Sequence, residues 1–263
     1  MMEESAECKW HDFWCCCLDG VYTEHGQKHS RRVFDNIMML YNKLRRWNIF
    51  PRQQLRLGQV DWRNVTKLLA SLHDIGMLGG RENHNKRSHQ IINYYPSILG
   101  RLYPRLSPTD IDLLGRIIEA HSGNFYGLTQ GLTSPQIFLA ILLRLADELD
   151  ITQKRVSREA FEIFAKFCGK FDILSRLHWK SHLIISGKIN IRVDANKLCI
   201  YLQIDPNEWK SSSFLEVLFT IYKLIKLYRE MRLFINVMGN LNYRNKSTLL
   251  IVRIGNITIR FQE

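Results

Sequence analysis

The sequence lacks any uncharged apolar run of about 18 residues, the length that a membrane-spanning helix needs. Its first residues, MMEESAECKWHDFWCCCLDG, are acidic and contain no basic segment followed by an apolar stretch, so a secretory signal peptide is not predicted either. Both absences argue against export or membrane insertion. We therefore expect a cytoplasmic protein without a membrane partner.

Cysteine is scarce and poorly spaced for cross-linking. The chain has 6 cysteines, and three of them are consecutive at 15–17, which is no disulfide framework. A zinc site built from Cys8, His11 and the Cys15–Cys17 run is one interpretation, but the spacing fits no standard zinc pattern. The alternative is a partly buried N-terminal segment with reduced thiols.

Proline is also rare, with 6 residues, and no internal repeat or low-complexity segment is present. With 46% hydrophobic residues among 263, the chain can bury a full core. These values are typical of an ordinary globular protein, with one large domain or a main domain and an appendage.

Acidic residues become sparse toward the C-terminus. The formal net charge is +12, and from Ser175 onward there are 14 Lys/Arg against 6 Asp/Glu, or +8. This excess indicates a surface that faces a polyanion, with a solvated basic face as the alternative. Nucleic acid is therefore a candidate partner of the C-terminal third.

Apolar residues recur at spacings of three and four over most of the chain, which predicts helices. Ser107, Pro108 and Asp110 form a helix start signal, and Ser134-Pro135 repeats it before the nearly all-apolar run IFLAILLRLADELD. The predicted helices cover about 24–47, 61–75, 86–99, 107 onward, 134 onward and 158–177.

The pattern changes to a period of two after Trp179, in HLIISGKINIRVD and KLCIYLQID, which predicts a hairpin with its turn at residues 194–196. A long helix over about 212–237 and a last strand-like segment, TLLIVRIGNITIRF, follow. The predicted fold is mainly α. A helical bundle over 21–174 precedes a small basic α+β subdomain of ββαβ order over 175–263.

Several polar side chains share the inner faces of these predicted helices. His29 precedes Val33 by four residues, His73 follows Leu69 by four, and Asp147 follows Leu143 by four. His121 follows Ile117 by four in the same way. Each alone is most simply a buried residue that has found a hydrogen-bonding partner. Together they would cost many kcal/mol of desolvation unless a shared cation satisfied them.

The order of these residues resembles the HD-domain superfamily of metal-dependent phosphohydrolases. The resemblance covers about residues 21–160 and rests on the ordered segments HSRRV, LLASLHDIGM, RENHNKRS, IIEAHSG and LLRLADELD. The doublet His73-Asp74 lies at a helix end before Ile-Gly, whereas the second copy, His11-Asp12, has no helical context. The chain departs from the family at Met77, where many members have lysine, and it lacks the Gly-Tyr-Pro signature of cyclic-di-GMP phosphodiesterases.

The resemblance implies a set of metal ligands. His29, His73, Asp74 and Asp147 match the ligands of a first ion, and His84 and His121, with Asp74 bridging, match those of a second. His84 matches the pattern better than His89. The mixed His/Asp donors suit one or two ions of manganese, iron, nickel, cobalt or zinc and do not suit calcium.

The resemblance also implies a reaction. A metal-activated water, oriented by Asp74 as the catalytic residue, would attack the phosphorus of a nucleotide or another phosphorylated substrate. The candidate phosphate-binding residues outside the cage are Lys28, Arg32, Arg81 and Arg87, and their alternative role is that of ordinary solvated basic residues.

Three functions remain open at this point. The first is a phosphohydrolase or phosphodiesterase acting on nucleotides. The second is an HD-type nuclease acting on single-stranded nucleic acid, which the basic C-terminal third favours. The third is a non-catalytic metal-binding regulatory module. The sequence does not decide the oligomeric state.

Overall fold

The computed structural model describes residues 26–156, 158, 161–162, 173–243 and 245–262. The fold is mainly α with a small α+β part near the C-terminus, as predicted. The proposed zinc ligands at 8–17 and most of the helix predicted over 158–177 lie outside the described residues. None of the described helices is long and apolar enough to cross a membrane.

The described parts of the chain contain ten α-helices, which are numbered in chain order. They are α1 Gln27–Leu44, α2 Trp62–Leu72, α3 His84–Tyr94, α4 Pro96–Leu102, α5 Pro108–Glu119, α6 Phe125–Leu128, α7 Ser134–Glu148, α8 Ile173–Ile184, α9 Pro206–Ser211 and α10 Phe214–Asn240. Short 3-10 helices cover Arg45–Trp47, Arg52–Gln54, Ile75–Gly79 and Gln153–Arg155.

Helix starts follow from local capping chemistry. The Asp61 side chain accepts hydrogen bonds from the backbone N–H groups of Arg63 and Asn64 at the start of α2. Ser107 and Asp110 form a full capping box at the start of α5, with Pro108 at the first helical position. Pro96 divides the single helix predicted over about 86–99 into α3 and α4, because proline disfavours helical geometry at the residue before it.

The chain divides into two compact units. One contains Ser30–Asp147 and Asn236–Arg244, and the other contains Met1–His29, Glu148–Ile235 and Asn245–Glu263. The division falls within α1 and again within α10, both of which are continuous helices. The predicted domain boundary near residue 174 stays a prediction.

Helices α5 and α7 carry many of the most deeply buried residues of the helical unit. Leu114, Ile117 and Ile118 of α5 are fully buried, and so are Phe138 and the run Ala140–Leu143 of α7. Val33, Leu40 and Leu44 of α1 and Val65 of α2 are fully buried as well. The predicted central position of the IFLAILLRLADELD helix agrees with this burial.

The other unit contains a four-stranded sheet in the order β1-β2-β3-β4, formed by Ile185–Val193, Lys197–Ile204, Ser247–Ile254 and Ile257–Gln262. β1 pairs antiparallel with β2, β2 pairs parallel with β3, and β3 pairs antiparallel with β4. The parallel step requires a crossover, which contains α9 and α10.

The ββαβ order predicted for this region was incomplete. The last segment forms two strands rather than one, because a turn at Gly255 separates them. Gly255 has a φ of 56°, in the left-handed region that glycine adopts without a steric penalty. β4 is an edge strand because it comes last in the order of the sheet. It is largely exposed, with Ile257 63% exposed.

Candidate metal centre

The doublet His73-Asp74 lies at the end of α2, where the helix turns into the 3-10 segment Ile75–Gly79. His73 is fully buried and forms the C-cap of α2 with helical backbone angles. The backbone angles of Asp74 are no longer helical. The change of backbone direction between them lets two adjacent side chains approach one point. The His73 Nε2 atom lies 3.4 Å from Oδ2 of Asp74 and 3.7 Å from Oδ1 of Asp147.

Close packing at Gly76 brings α3 to this helix end. A Cβ atom added to Gly76 would lie 2.0 Å from the carbonyl oxygen of His84 and 2.6 Å from the backbone nitrogen of Ser88. The buried Ser88 hydroxyl accepts from the Gly76 N–H at 2.9 Å and donates to the His73 carbonyl at 2.7 Å. These contacts place the first turn of α3, and with it His84, beside the doublet.

His84 and His121 complete a second group of donors. The Nε2 atoms of both imidazoles approach Oδ1 of Asp74, at 3.4 Å for His84 and 3.7 Å for His121. Their two Nε2 atoms are 3.1 Å apart. Asp74 therefore contacts both groups, since its other carboxylate oxygen faces His73.

The described residues contain two sets whose ligand atoms could hold a metal ion. One set is His29, His73 and Asp147, and the other is Asp74, His84 and His121, with all ligand atoms of a set within 4.8 Å of one another. His29 lies in the first turn of α1, and the same continuous helix carries Val33 and Ile37 of the helical core. All six predicted ligands thus fall into these two sets.

Hydrogen bonds on the other side of each ring orient the imidazoles. The Nδ1 atoms of His73, His84 and His121 contact the backbone carbonyls of Ala70, Arg81 and Ile118, each three residues earlier, at 3.0, 2.9 and 2.6 Å. A carbonyl oxygen only accepts, so each Nδ1 carries the hydrogen and donates it. In a neutral ring, Nε2 is then the atom with the lone pair that can bind a cation.

The neighbouring carboxylates and burial shift the pKa values of two imidazoles in these groups. Burial by itself lowers the pKa of His73, but Asp74 and Asp147 outweigh it and raise the pKa to about 10. Burial lowers the pKa of His84, and the neighbouring His121 lowers it further while Asp74 opposes both. The two groups therefore contain one imidazole that holds a proton strongly and one that releases it easily.

The donor chemistry fits a divalent transition metal. Two neutral imidazoles that donate through Nδ1 would direct the Nε2 lone pairs of His84 and His121 at each other across 3.1 Å. Such a contact needs positive charge, which a proton or a bound cation supplies. Nitrogen and carboxylate donors together suit zinc, manganese, iron, cobalt or nickel.

A protein-family model named HD-CE matches residues 20–219, which are 200 of the 263 residues of the chain. The chain belongs to the HD-CE family. The match covers every residue of the two donor groups and ends within α10, so β3 and β4 lie beyond it. A comparison with curated proteins found no match.

The four basic residues predicted to bind phosphate have different surroundings in this HD-CE chain. Lys28 and Arg81 are exposed, whereas Arg32 and Arg87 are half-buried. Arg87 donates from Nε to the Gly76 carbonyl at 2.9 Å and from Nη2 to the Gly80 carbonyl. Its guanidinium thus holds the 3-10 segment after the doublet, and a phosphate contact for any of the four stays a prediction.

Sequence reasoning overlooked residues that support the site from outside. Asp150 lies three positions after Asp147 in the same LADELD segment, and its Oδ2 is 2.7 Å from Nδ1 of His29. Asn85, next to His84, donates to the carbonyls of Glu119 and Ser122 on either side of His121. A second acid at i+3 was the available signal for Asp150, whereas nothing in the sequence indicated the partners of Asn85.

His89 has a different environment from His84, as its position on α3 predicted. Its Nδ1 is 2.6 Å from Glu119 Oε2, and its Nε2 is 3.4 Å from Asp112 Oδ1. Both ring nitrogens therefore face carboxylates between α3 and α5. His89 belongs to neither donor group.

Proposed function

We propose that this HD-CE protein is a metal-dependent phosphohydrolase that cleaves a phosphate ester of a nucleotide or nucleotide-like substrate. The observation that carries the proposal is the convergence of imidazole Nε2 atoms and the Asp74 and Asp147 carboxylates in two adjoining groups. Asp74 contacts both groups, with Oδ2 toward His73 and Oδ1 toward His84 and His121, which supports a role at both. The resemblance of the ordered motifs to HD phosphohydrolases supports the same reaction.

Different residues would hold the metal ions and orient the attacking water in such a reaction. His29, His73 and Asp147 would hold one ion, and Asp74, His84 and His121 would hold a second. Bound divalent ions would supply Lewis acidity, which stabilises negative charge on phosphoryl oxygens and lowers the pKa of water. Asp74 would orient the attacking water.

Phosphate release from a panel of nucleotides with added manganese tests the proposal. The wild-type protein, freed of metal and then reloaded, should hydrolyse at least one phosphate ester, and a His73→Ala/Asp74→Ala variant should lose turnover and metal together. His89→Gln is the matched control, because His89 lies on α3 near His84 but outside both donor groups. Metal binding without turnover on any phosphate ester would contradict the catalytic proposal and favour a regulatory module.

A nuclease acting on single-stranded nucleic acid is the second candidate, and the charge of the C-terminal third favours it. Residues from Ser175 onward carry a net charge of +8, and Arg176 and Arg192 are more than 60% exposed. Nucleic acid held by such a surface should dissociate as salt rises, because counterions released on binding return. Salt-sensitive, metal-dependent degradation of single-stranded DNA or RNA, without release of phosphate from nucleotides, would favour this function.

A further inference from the structure

The four histidines of the two donor groups differ in the group that their Nδ1 atom contacts. His73, His84 and His121 each donate from Nδ1 to the backbone carbonyl three residues earlier. His29 instead contacts the Asp150 carboxylate through Nδ1, at 2.7 Å. One imidazole of the cage is therefore supported by a charged group, and the other three are supported by neutral ones.

Asp150 is buried, with 3% of its surface exposed, and it lies two residues after the end of α7. A buried carboxylate is costly unless hydrogen bonds or charges compensate it. Its 2.7 Å contact with His29, which is itself fully buried, is a short charge-assisted hydrogen bond. Such a bond fixes the hydrogen on Nδ1 and the orientation of the ring.

An imidazole bonded to a carboxylate is a more basic metal ligand than one bonded to a backbone carbonyl. The carboxylate also stabilises the positive charge that the ring acquires when Nε2 binds a cation. Both effects act on the group of His29, His73 and Asp147 and leave the group of Asp74, His84 and His121 without an equivalent. The two sets of ligands are thus unequal in the charge that supports them.

We propose that Asp150 is a positioning residue that acts through His29 and strengthens metal binding by the group of His29, His73 and Asp147. The inference rests on the proposed metal-dependent function. The simpler alternative is a buried ion pair that only stabilises the fold around the start of α1.

The test measures metal binding rather than turnover. Asp150→Asn and wild-type protein are freed of metal and titrated with Co²⁺ in a chelator buffer, while the visible absorption of the bound ion is recorded. We expect one Co²⁺ to bind about 10- to 100-fold more weakly in Asp150→Asn, with an altered spectrum, while the second ion is retained at unchanged affinity. Asp150→Ala should weaken the same ion further.

Asp112→Asn is the matched control, because Asp112 also contacts an imidazole, that of His89, outside both groups. It should leave both Co²⁺ affinities unchanged. A double-mutant cycle with His29→Gln adds a readout that a purely structural role would not produce. If Asp150 acts through His29, Asp150→Asn should cause no further loss of affinity in the His29→Gln background, even where it lowers the melting temperature.

Each result decides the inference. Wild-type affinity and spectrum in Asp150→Asn, or an equal loss in the presence and absence of His29, would overturn it and leave Asp150 a structural residue. A wild-type protein that binds Co²⁺ but hydrolyses no phosphate ester would overturn the proposed function, while the affinities still decide the role of Asp150. A wild-type protein that binds no metal would overturn both.

Discussion

The protonation of His73 decides how readily the group of His29, His73 and Asp147 accepts a cation. Asp74 and Asp147 favour the charged ring and raise its pKa to about 10 although the side chain is fully buried. The metal-free pocket therefore uses a proton as its counter-ion at neutral pH. A metal ion must displace that proton, which couples metal affinity to pH.

The first prediction concerns this coupling. The metal affinity of the group of His29, His73 and Asp147 should rise by about tenfold per pH unit between pH 7 and 9, because one proton leaves His73 when an ion binds there, and it should level off near pH 10. Chelator-buffered Co²⁺ or Zn²⁺ titrations measure the slope. Proton release during binding, followed in two buffers of different ionisation enthalpy, is the independent check; an affinity that does not change with pH would contradict the assigned proton.

The second prediction concerns the stability of the metal-free protein. The pKa of His73 in the folded state lies above its ordinary value of 6.5, so the protonated ring stabilises the fold fully below pH 6.5. That contribution should be lost as pH rises through 10. Chemical denaturation in the presence of a chelator should show this decline, and the His73→Ala/Asp74→Ala variant should show a smaller one.

At the scale of elements, the site depends on how closely α3 approaches the end of α2. Gly76 and Ser88 make that approach, since no Cβ fits at the first and the second bonds both the Gly76 N–H and the His73 carbonyl. Neither residue belongs to the donor groups. Substitutions at Gly76 or Ser88 should nevertheless disturb the position of the metal ligands.

The third prediction is for Ser88→Ala, which removes the hydroxyl and adds no volume at this buried position. The buried N–H of Gly76 and carbonyl of His73 would lose their shared partner, at a cost of about 2–4 kcal/mol of unfolding free energy. Ser88→Thr is the matched control, because it keeps the hydroxyl. Denaturant unfolding measures the difference, and equal stability of the two variants would contradict the role assigned to the hydroxyl.

The fourth prediction is for Gly76→Ala. The added methyl would overlap the carbonyl oxygen of His84, so α3 must shift and carry His84 away from Asp74. We expect weaker binding of the ion held by Asp74, His84 and His121, together with a loss of about 1–3 kcal/mol of stability. Gly100→Ala is the control, because nothing lies within 4 Å of a Cβ at that position. Unchanged metal stoichiometry and affinity in Gly76→Ala would disprove the packing argument.

For the whole molecule, bound metal should appear as stability. An ion that binds the folded state alone stabilises it by about 2.7 kcal/mol at a concentration of 100 times its dissociation constant. Thermal unfolding with increasing Mn²⁺ or Zn²⁺ should therefore show a rising midpoint in the wild type and a constant one in the His73→Ala/Asp74→Ala variant. A midpoint that is equally insensitive in both proteins would contradict a metal site.

The general organisation of the chain could be predicted at this scale, but its details could not. Spacings of three and four predicted the helices that became α1, α2, α5, α7 and α10, and capping residues predicted where several of them begin. The split of α3 from α4 at Pro96 and the division of the last segment into β3 and β4 were missed. Both errors arose because a long apolar pattern hid a local break at proline or glycine.

The sequence by itself determined which side chains face inward, because helical periodicity places His29, His73, His121 and Asp147 on apolar faces. It did not determine which ring nitrogen points to the cage or which group lies behind each ring. The Asp150–His29 contact joins residues 121 positions apart, and the Ser88 bridge joins the ends of two helices. Such contacts depend on how helices pack, and the local spacing of residues carries no record of distances between separate helices.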